Sequence, residues 1–290
     1  MERELWKLLY EMALRLDKPF GSWKFSNADV LAVFLWAVAH DRPTSWALQE
    51  NVWPDDLRLV LPSQSTMSRR LRKHATRQLM LEVERAQMSL LTVTCWWIRA
   101  LDGKPLPVGG YSKDADAGYG RGAGGKCKGY KLHAIWAGGP LPVAWGLAPI
   151  NVSEHKMAKE LIQSLPGEGY LLADGHLDSN ALYDLAHQQG YQLLSPRRRS
   201  RKGGLGHTYQ SPHRLRCIEL LQSKFGKDLY AFRGQIERDF GNLTSFGGGL
   251  TCLPAWVRRF PRVCNWVHAK LLLNAARWIC KHSPTTPALA

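Results

Sequence analysis

The sequence predicts an α/β core with helical regions before and after it. Residues 1–91 repeat apolar positions at helical spacing, residues 92–195 alternate apolar strand-like segments with helical ones, and helical periodicity returns from about residue 230. Strands that come first and then alternate with helices are typical of an α/β sheet. With 290 residues, 45% of them apolar, the chain is long enough for one large domain or two small ones.

Apolar residues at helical spacing mark the beginning of the chain. The first group consists of Leu5, Leu8, Leu9 and Met12. Ser26 or Asn27 can cap a second helix, and we expect this helix to be buried because residues 30–38 are apolar.

A short basic helix is predicted over residues 63–71. Ser63 or Ser65 can cap it, and Arg69 and Arg70 follow. The second helix of a helix-turn-helix motif has this form, with small polar residues at its start that approach bases or phosphates. An ordinary surface helix can also begin with serine and carry arginine. We predict that the region from residue 1 to 91 binds DNA, with Arg69 and Arg70 among its contacts.

The central region is predicted to form the sheet. Residues 92–102 are rich in β-branched and aromatic side chains, so we expect a buried strand that ends at Asp102. The further predicted strands are residues 128–137, 141–150, 169–173 and 191–194. Helical periodicity is found over residues 154–165 and 179–189.

A run of glycines follows the first predicted strand. It comprises Gly118, Gly120, Gly122, Gly124 and Gly125. The spacing matches neither a dinucleotide fingerprint nor a P-loop, so we predict a mobile loop rather than a phosphate cradle.

The chain is strongly basic, with 39 Lys and Arg against 24 acidic residues and a net charge of +15. Basic clusters lie at residues 69–77, 197–216 and 258–281, and no acidic residue follows Asp239. Uncompensated self-repulsion of this kind predicts a polyanionic partner, of which nucleic acid is the commonest. Within a basic insertion predicted over residues 196–229, the expected DNA contacts are Arg197, Arg198 and Arg199.

Composition and motif content exclude several other classes. The longest uncharged apolar run, at residues 30–39, is about half of what a bilayer span requires. The chain starts with alternating charges, so we expect no secretion signal. Its six cysteines form no C-x-x-C pair, which favours a reduced, cytoplasmic protein over a disulfide-stapled or zinc-binding one.

Two aspartates occupy the predicted ends of strands. Asp102 precedes Gly103, and Asp174 precedes Gly175. Ligands bind at strand ends in α/β sheets, glycine permits close approach, and paired carboxylates can share hard divalent cations. Either Asp-Gly pair alone would be read as a turn.

A third acidic residue follows on a predicted helix. Tyr230, Arg233 and Glu237 are spaced i, i+3 and i+7, which places them on one helical face. This face would direct Glu237 toward metal ions and Arg233 toward a phosphate, whereas Asp239 points elsewhere. Three carboxylates that hold two metal ions suit in-line attack at a phosphodiester.

These blocks resemble those of bacterial insertion-sequence transposases of the DDE superfamily, which have an RNase H-like catalytic core. The specific element is Y-x-x-R-x-x-x-E, from Tyr230 to Glu237. The segments at residues 128–133 and 151–156 are also similar to the family, so the resemblance covers about residues 90–280.

The resemblance implies a DNA transposase that cuts at element ends and transfers the strands into target DNA. Asp102, Asp174 and Glu237 would be the catalytic, metal-binding residues, with two Mg²⁺ or Mn²⁺ ions as cofactors. Tyr230, Arg233 and Lys131 would contact DNA. The implied partners are double-stranded DNA, as terminal inverted repeats and target, and a second copy of the chain in a homodimer. The implied location is the bacterial cytoplasm, at the nucleoid.

Several readings of individual residues stay open. Lys131 is equally an ordinary strand lysine, His133 is more readily a packed strand residue than a metal ligand, and Glu154 is best explained as an acid at a helix N-terminus. The family commonly has a lysine seven positions after the glutamate, where this chain has Thr244.

Because Thr244 replaces the family's lysine, two alternative functions are considered. One is a DNA-binding protein derived from a transposase that no longer cuts, and another is a nuclease on the same core. A resolvase-like role with Tyr230 as nucleophile is disfavoured because no Arg/His cluster is spaced around it.

The predicted domain organisation follows from these assignments. It comprises a helical DNA-binding region at residues 1–91, an RNase H-like catalytic domain with C-terminal helices at 92–282, and a frayed tail at 283–290.

Overall fold

A computed structural model describes residues 2–18, 24–57, 59–91, 97–122, 124–198, 204–205, 209–245 and 249–282. The chain divides into two compact units, a helical unit from residues 1–92 and 242–290 and a sheet unit from residues 93–241. The tail predicted at residues 283–290, and Arg199 of the basic insertion, lie outside the described residues.

The helical unit begins with four helices, which are α1 (Glu2–Leu16), α2 (Asn27–Ala39), α3 (Gln64–Arg70) and α4 (His74–Leu90). The buried helix predicted near Ser26 is confirmed. Ser26 and Asp29 form a capping box in which each side chain accepts a hydrogen bond from the other's backbone N–H. The predicted short basic helix is also confirmed, and Ser63 caps it by accepting a hydrogen bond from the N–H of Thr66.

The sheet unit contains a mixed, six-stranded sheet in the described residues. Its strands are β1 (Ile98–Pro107), β2 (Gly118–Gly122), β3 (Gly125–Trp136), β4 (Ala144–Pro149), β5 (Gly169–Leu172) and β6 (Tyr191–Leu194). The order is β2-β3-β1-β5-β6, with β4 paired to β3. Strands β1, β5 and β6 are mutually parallel, whereas β3 is antiparallel to each of its neighbours.

Two sequence expectations for the sheet are corrected. Strand β1 does not end at Asp102 but continues to Pro107, because its second half pairs with β3 down to Gly129. The glycine run forms the β2–β3 hairpin rather than a mobile loop. Glycine is needed there because a Cβ on Gly120 would lie 2.7 Å from the carbonyl oxygen of Ile150.

Among the described residues of this unit, α-helices alternate with the later strands and then follow them. They are α5 (Glu154–Gln163), α6 (Asn180–Gln188), α7 (Pro212–Gln222), α8 (Lys224–Ala231) and α9 (Gly234–Thr244). Met157 of α5 packs against Gly146 of β4. On α9, Phe240 meets Trp136 of β3 edge-on, with ring centroids 5.6 Å apart. Helices α7 and α8 cover the second half of the insertion that was predicted over residues 196–229.

The last helix, α10 (Phe260–His282), belongs to the helical unit rather than to the sheet unit. This differs from the predicted catalytic domain at residues 92–282. Polar contacts explain the difference, because the buried ammonium of Lys270 donates to the Val38 carbonyl at 2.8 Å and to the Asp41 carboxylate at 2.6 Å. Gln87 of α4 donates to the Leu272 carbonyl at 3.0 Å.

The described cysteines carry free thiols. None of the helices that the structure describes is both long and apolar enough to cross a membrane.

Candidate active site

Asp102 and Asp174 lie side by side on neighbouring parallel strands. The last registered pair of β1 and β5 is Ala100 with Leu172, and each aspartate follows two residues later. Both side chains line one narrow cleft. The sheet backbone therefore determines how close the two carboxylates come.

The Asp102 carboxylate is partly buried and has two partners. Its Oδ1 accepts a hydrogen bond of 2.7 Å from the Gly103 N–H, and its Oδ2 lies 3.2 Å from Nη2 of Arg233. Burial raises the pKa of Asp102, and the negative charge of Asp174 adds to the increase, against the lowering effects of Gly103, Arg233 and Lys131. A cation bound beside both carboxylates would oppose that rise.

The loop that carries Asp174 is held from two sides. The Asp174 carboxylate accepts a hydrogen bond of 3.0 Å from the N–H of His176, which caps a short helical turn. The Ser195 hydroxyl donates to the Asp174 carbonyl at 2.5 Å, and the Tyr230 hydroxyl donates to the Ala173 carbonyl at 3.0 Å. These bonds fix the backbone on either side of the strand end.

Tyr230 reaches the site from the last turn of α8, and Arg233 from the turn between α8 and α9. The prediction of one continuous helix through Tyr230, Arg233 and Glu237 is wrong, because α8 ends at Ala231 and α9 begins at Gly234. The backbone tightens there, since the N–H of Arg233 donates to the Tyr230 carbonyl three residues back, at 2.9 Å. The low helix propensity of Gly234 favours the break.

Both side chains have electrostatic properties that suit a phosphate site. Burial raises the pKa of Tyr230, with contributions from Asp174 and Asp102, so its hydroxyl remains protonated. The Nε of Arg233 is buried and has no hydrogen-bond partner among the described residues. Arg233 therefore has an unused donor in addition to its bond to Asp102.

Glu237 lies four residues beyond Arg233, on α9. It is exposed on the first turn of α9 and is not among the described residues that line the cleft. Asp239, two residues on, is 4% exposed and faces the opposite side of the helix, where it lines a cavity with Trp136. Within the described residues, no three His, Cys, Asp or Glu side chains form a ready-made metal site.

Glu154 lines the same cleft as the aspartates, and sequence reasoning gave it only a capping role. Its carboxylate forms an ion pair with Nζ of Lys131. Burial opposes ionisation, but this bond and the charge of Lys131 outweigh it and lower the pKa of Glu154. Lys131, predicted to contact DNA, crosses Gly103 so closely that a Cβ on Gly103 would lie 2.3 Å from its Cε.

His133 completes the polar lining of the cleft. It is 4% exposed, and its Nε2 has no partner among the described residues. Burial, reinforced by the charge of Lys131, lowers its pKa to about 4, so the imidazole is neutral at physiological pH. His133 reaches the cleft through strand pairing, because it is the registered partner of Gly103, the residue next to Asp102.

The predicted DNA-contacting arginines have different environments. Arg69 is exposed on α3. Arg70 is 6% exposed and donates to the Phe25 carbonyl at 3.0 Å and to Oδ1 of Asn27 at 2.8 Å. Its guanidinium thus anchors the start of α2, which corrects the expectation that it faces DNA.

An ion pair and a backbone hydrogen bond, both to Asp178, tie the basic insertion to the rest of the sheet unit. Arg214 of α7 forms a bidentate ion pair with Asp178, at 2.6 and 2.7 Å. Asp178 also accepts a hydrogen bond from the backbone N–H of Arg198, whose side chain is exposed. The Arg197 guanidinium donates to the carbonyl of Gly204.

The helical unit contains a basic cavity of about 470 Å³ that sequence reasoning missed. Its charged lining residues are Arg72, Arg77, Arg259 and Arg262. Trp256, which is 39% exposed, also contributes to the wall. The arginines come from two chain segments far apart in sequence, which is why periodicity could not combine them.

Comparison with known proteins gives one family. The family model described as a transposase DDE domain matches residues 95–269, more than half of the chain. No curated protein matches significantly. Among solved structures, the chain is similar to a cryo-EM structure of the piggyBac transposase synaptic complex with hairpin DNA, at 10% identity and a TM-score of 0.46, with 97% of this chain and 72% of that one covered.

Proposed function

We propose a reaction for this chain, which belongs to the transposase DDE domain family and is thus a DNA transposase. It cuts DNA at element ends and joins the cut strands to target DNA, and the reaction depends on a divalent metal. The observation that carries this proposal is the placement of Asp102 and Asp174 side by side in one cleft. Arg233, beside Asp102, supplies a positive charge for the phosphate.

The residues present fit a divalent metal. Asp102 and Asp174 offer the carboxylate oxygens that Mg²⁺ and Mn²⁺ prefer. Burial raises the pKa of Asp102, and the charge of Asp174 adds to the increase, so a cation bound here would stabilise the ionised carboxylate. We propose that two ions bind here, with Glu237 as the third carboxylate. Bound metal supplies Lewis acidity that activates a water or 3′-hydroxyl nucleophile and stabilises the leaving oxygen.

The protein's own groups would position the DNA. A guanidinium binds a phosphate with parallel, charge-assisted hydrogen bonds, and the guanidinium of Arg233 lies beside Asp102, where it would supply such donors. Tyr230 acts as a positioning residue, because its protonated hydroxyl holds the carbonyl of Ala173 immediately before Asp174. Both roles depend on the turn between α8 and α9.

DNA binding outside the cleft would involve both units. In the helical unit we propose Arg69 and the basic cavity, and in the sheet unit Arg197, Arg198 and Arg199, as contacts to terminal inverted repeats and target DNA. Phosphate contacts would dominate affinity and make it fall steeply with salt. Because two DNA ends must be joined, we propose a homodimer on DNA, and for a DNA-bound bacterial protein we propose the nucleoid as its location.

The test uses DNA that carries the gene's own flanking sequence. Wild-type protein and the Asp174→Asn variant are incubated with it, with and without Mg²⁺, and cleaved and joined products are mapped. We expect discrete, metal-dependent cuts by wild type alone. Cuts that are equal in the variant, or equal without metal, would overturn the proposal.

A second candidate is a DNA-binding protein that no longer cuts. Thr244, which stands where the family usually has a lysine, favours it, and so does the lack of a ready-made group of three metal-binding side chains among the described residues. In the same experiment, specific retention of the flanking DNA without any cut by wild type would support this candidate. Cleavage without joined products would instead indicate a nuclease.

A further inference from the structure

The hairpin formed by β2 and the start of β3 has two different faces. Its register pairs Tyr119 with Lys128 and Arg121 with Lys126. Directly paired residues of antiparallel strands lie on the same face. One face therefore carries an aromatic ring and three cations, and we call these four residues the basic ribbon. Arg121 and Lys126 are exposed, whereas Lys128 is half-buried and donates to the Ser112 carbonyl at 2.8 Å.

The opposite face is made largely of glycine and packs closely against neighbouring segments of the chain. A Cβ on Gly118 would lie 1.7 Å from Oδ1 of Asn151, and one on Gly129 would lie 2.3 Å from the Leu106 carbonyl oxygen. No other residue type fits such approaches without displacement. The glycine face thus seats the hairpin on the sheet and turns the basic ribbon outward.

The charges of the basic ribbon are poorly compensated. Arg121 and Lys126 are exposed and directly opposite each other, and like charges in that position destabilise a strand pair. The sequence has no acidic residue between Asp116 and Glu154. Across the described chain, neither of the two opposed cations takes part in an ion pair.

An aromatic ring lies among these cations. Tyr119 is 57% exposed, and the Nζ atoms of Lys126 and Lys128 lie 6.0 and 5.7 Å from its ring centroid. Cation–π contacts of this kind stabilise the lysines only slightly at an exposed site. An exposed ring between cations is also how proteins hold a nucleic-acid strand, with phosphates on the cations and a base or sugar on the ring.

We propose that the basic ribbon is a DNA-binding surface that contacts backbone phosphates and places Tyr119 against a nucleotide. A two-stranded ribbon is a known shape for docking on DNA. This inference rests on the proposed function, because it names a further surface for the DNA on which the cleft acts. An anionic partner at this surface would relieve the repulsion between Arg121 and Lys126.

The charge contribution is tested with a matched pair of double variants. The ribbon variant is Arg121→Gln with Lys126→Gln, and its control is Lys156→Gln with Lys159→Gln, which removes two exposed charges from α5 of the same unit. Binding of a fluorescent random-sequence duplex is measured by anisotropy at several salt concentrations. For the ribbon variant, we expect the slope of log K against log salt to become shallower by about 0.9 for each lost phosphate contact, and for the control an unchanged slope.

The ring is tested separately. We expect Tyr119→Ala to weaken binding of a single-stranded oligonucleotide by about tenfold, the effect of losing one stacked base, and Tyr119→Phe to bind like wild type. Far-UV circular dichroism of each variant confirms that it is folded.

The outcomes separate this inference from the proposed function. If wild type binds DNA and the ribbon variant keeps the wild-type slope and affinity, the proposal that the basic ribbon binds DNA is overturned, and the proposed function stands. Equal losses in ribbon and control variants would show a general charge effect, which also overturns it. If wild type binds no DNA at any salt concentration, both proposals fail.

Discussion

Asp102 on β1 and Asp174 after β5 each lie two residues beyond Ala100 and Leu172, the last pair in the parallel register of their strands. The parallel pairing of β1 and β5 thus brings both residues just beyond the same registered pair. Replacing either carboxylate with its amide therefore changes charge and leaves the strand geometry in place. This makes the two aspartates the sharpest test of the proposed chemistry.

We expect Asp102→Asn and Asp174→Asn each to reduce DNA cleavage by at least about 10³-fold, because a metal-binding carboxylate contributes several kcal/mol to the transition state. DNA affinity measured without metal should stay within about twofold, since most binding energy comes from phosphate contacts elsewhere. Gel-based cleavage and anisotropy separate the two effects. Cleavage within tenfold of wild type would contradict the assignment.

A comparison of Glu237→Gln with Glu154→Gln tests which glutamate is the third metal-binding carboxylate. If Glu237 is a metal ligand, its variant should lose cleavage as completely as Asp174→Asn, by about 10³-fold. Glu154→Gln breaks the ion pair with Lys131 and should keep cleavage within about tenfold of wild type. The opposite ranking in a cleavage time course would assign the role to Glu154, which already lines the cleft.

The buried carboxyl of Asp239 should make the free energy of unfolding depend on pH. Burial raises its pKa to about 6, and its Oδ2 has no partner among the described residues. The folded protein therefore binds this proton more tightly than the unfolded chain does. Stability from this group is highest below about pH 4 and falls by up to about 3 kcal/mol as the pH rises to about 6.

We expect Asp239→Asn, which cannot ionise, to be more stable than wild type at pH 8 by about 1–3 kcal/mol and to lose that advantage at pH 4. Urea unfolding midpoints of both proteins at the two pH values provide the measurement. A difference that does not change with pH would show that the Asp239 carboxyl is not held in the folded state as described.

Arg69 and Arg70 are adjacent in sequence and should behave differently. Arg69→Ala removes an exposed charge, so it should weaken DNA binding with unfolding free energy unchanged within about 0.5 kcal/mol. Arg70→Ala leaves the Phe25 carbonyl and Asn27 without their donor and should lower stability by about 1–3 kcal/mol. Thermal unfolding and anisotropy on both variants test this. If Arg70→Ala retains wild-type stability, its anchoring role is refuted.

Local signals in the sequence predicted much of the fold and part of the site. The capping pattern at Ser26 and Ser63, the strand over residues 191–194 and the position of Asp174 at a strand end could all be predicted, because each depends on neighbouring residues. The break between α8 and α9 was not predicted, since Tyr230 before it and Glu237 after it keep the i, i+7 spacing of a continuous helix. Glu154 and His133 could not be assigned to the cleft either, because strand pairing and helix packing bring them there.

By itself, the sequence determined the chemistry of this protein: a surplus of positive charge, two Asp-Gly pairs in the predicted sheet region, and a Y-x-x-R-x-x-x-E run that indicates a DNA transposase. Only the tertiary structure decided which groups meet. It placed Asp102 beside Asp174, buried Arg70 while leaving Arg69 exposed, and made a glycine run into a seated hairpin with a basic face. The physical reason is that residue type and local spacing specify what a side chain can do, whereas strand register and packing between distant segments decide what it faces.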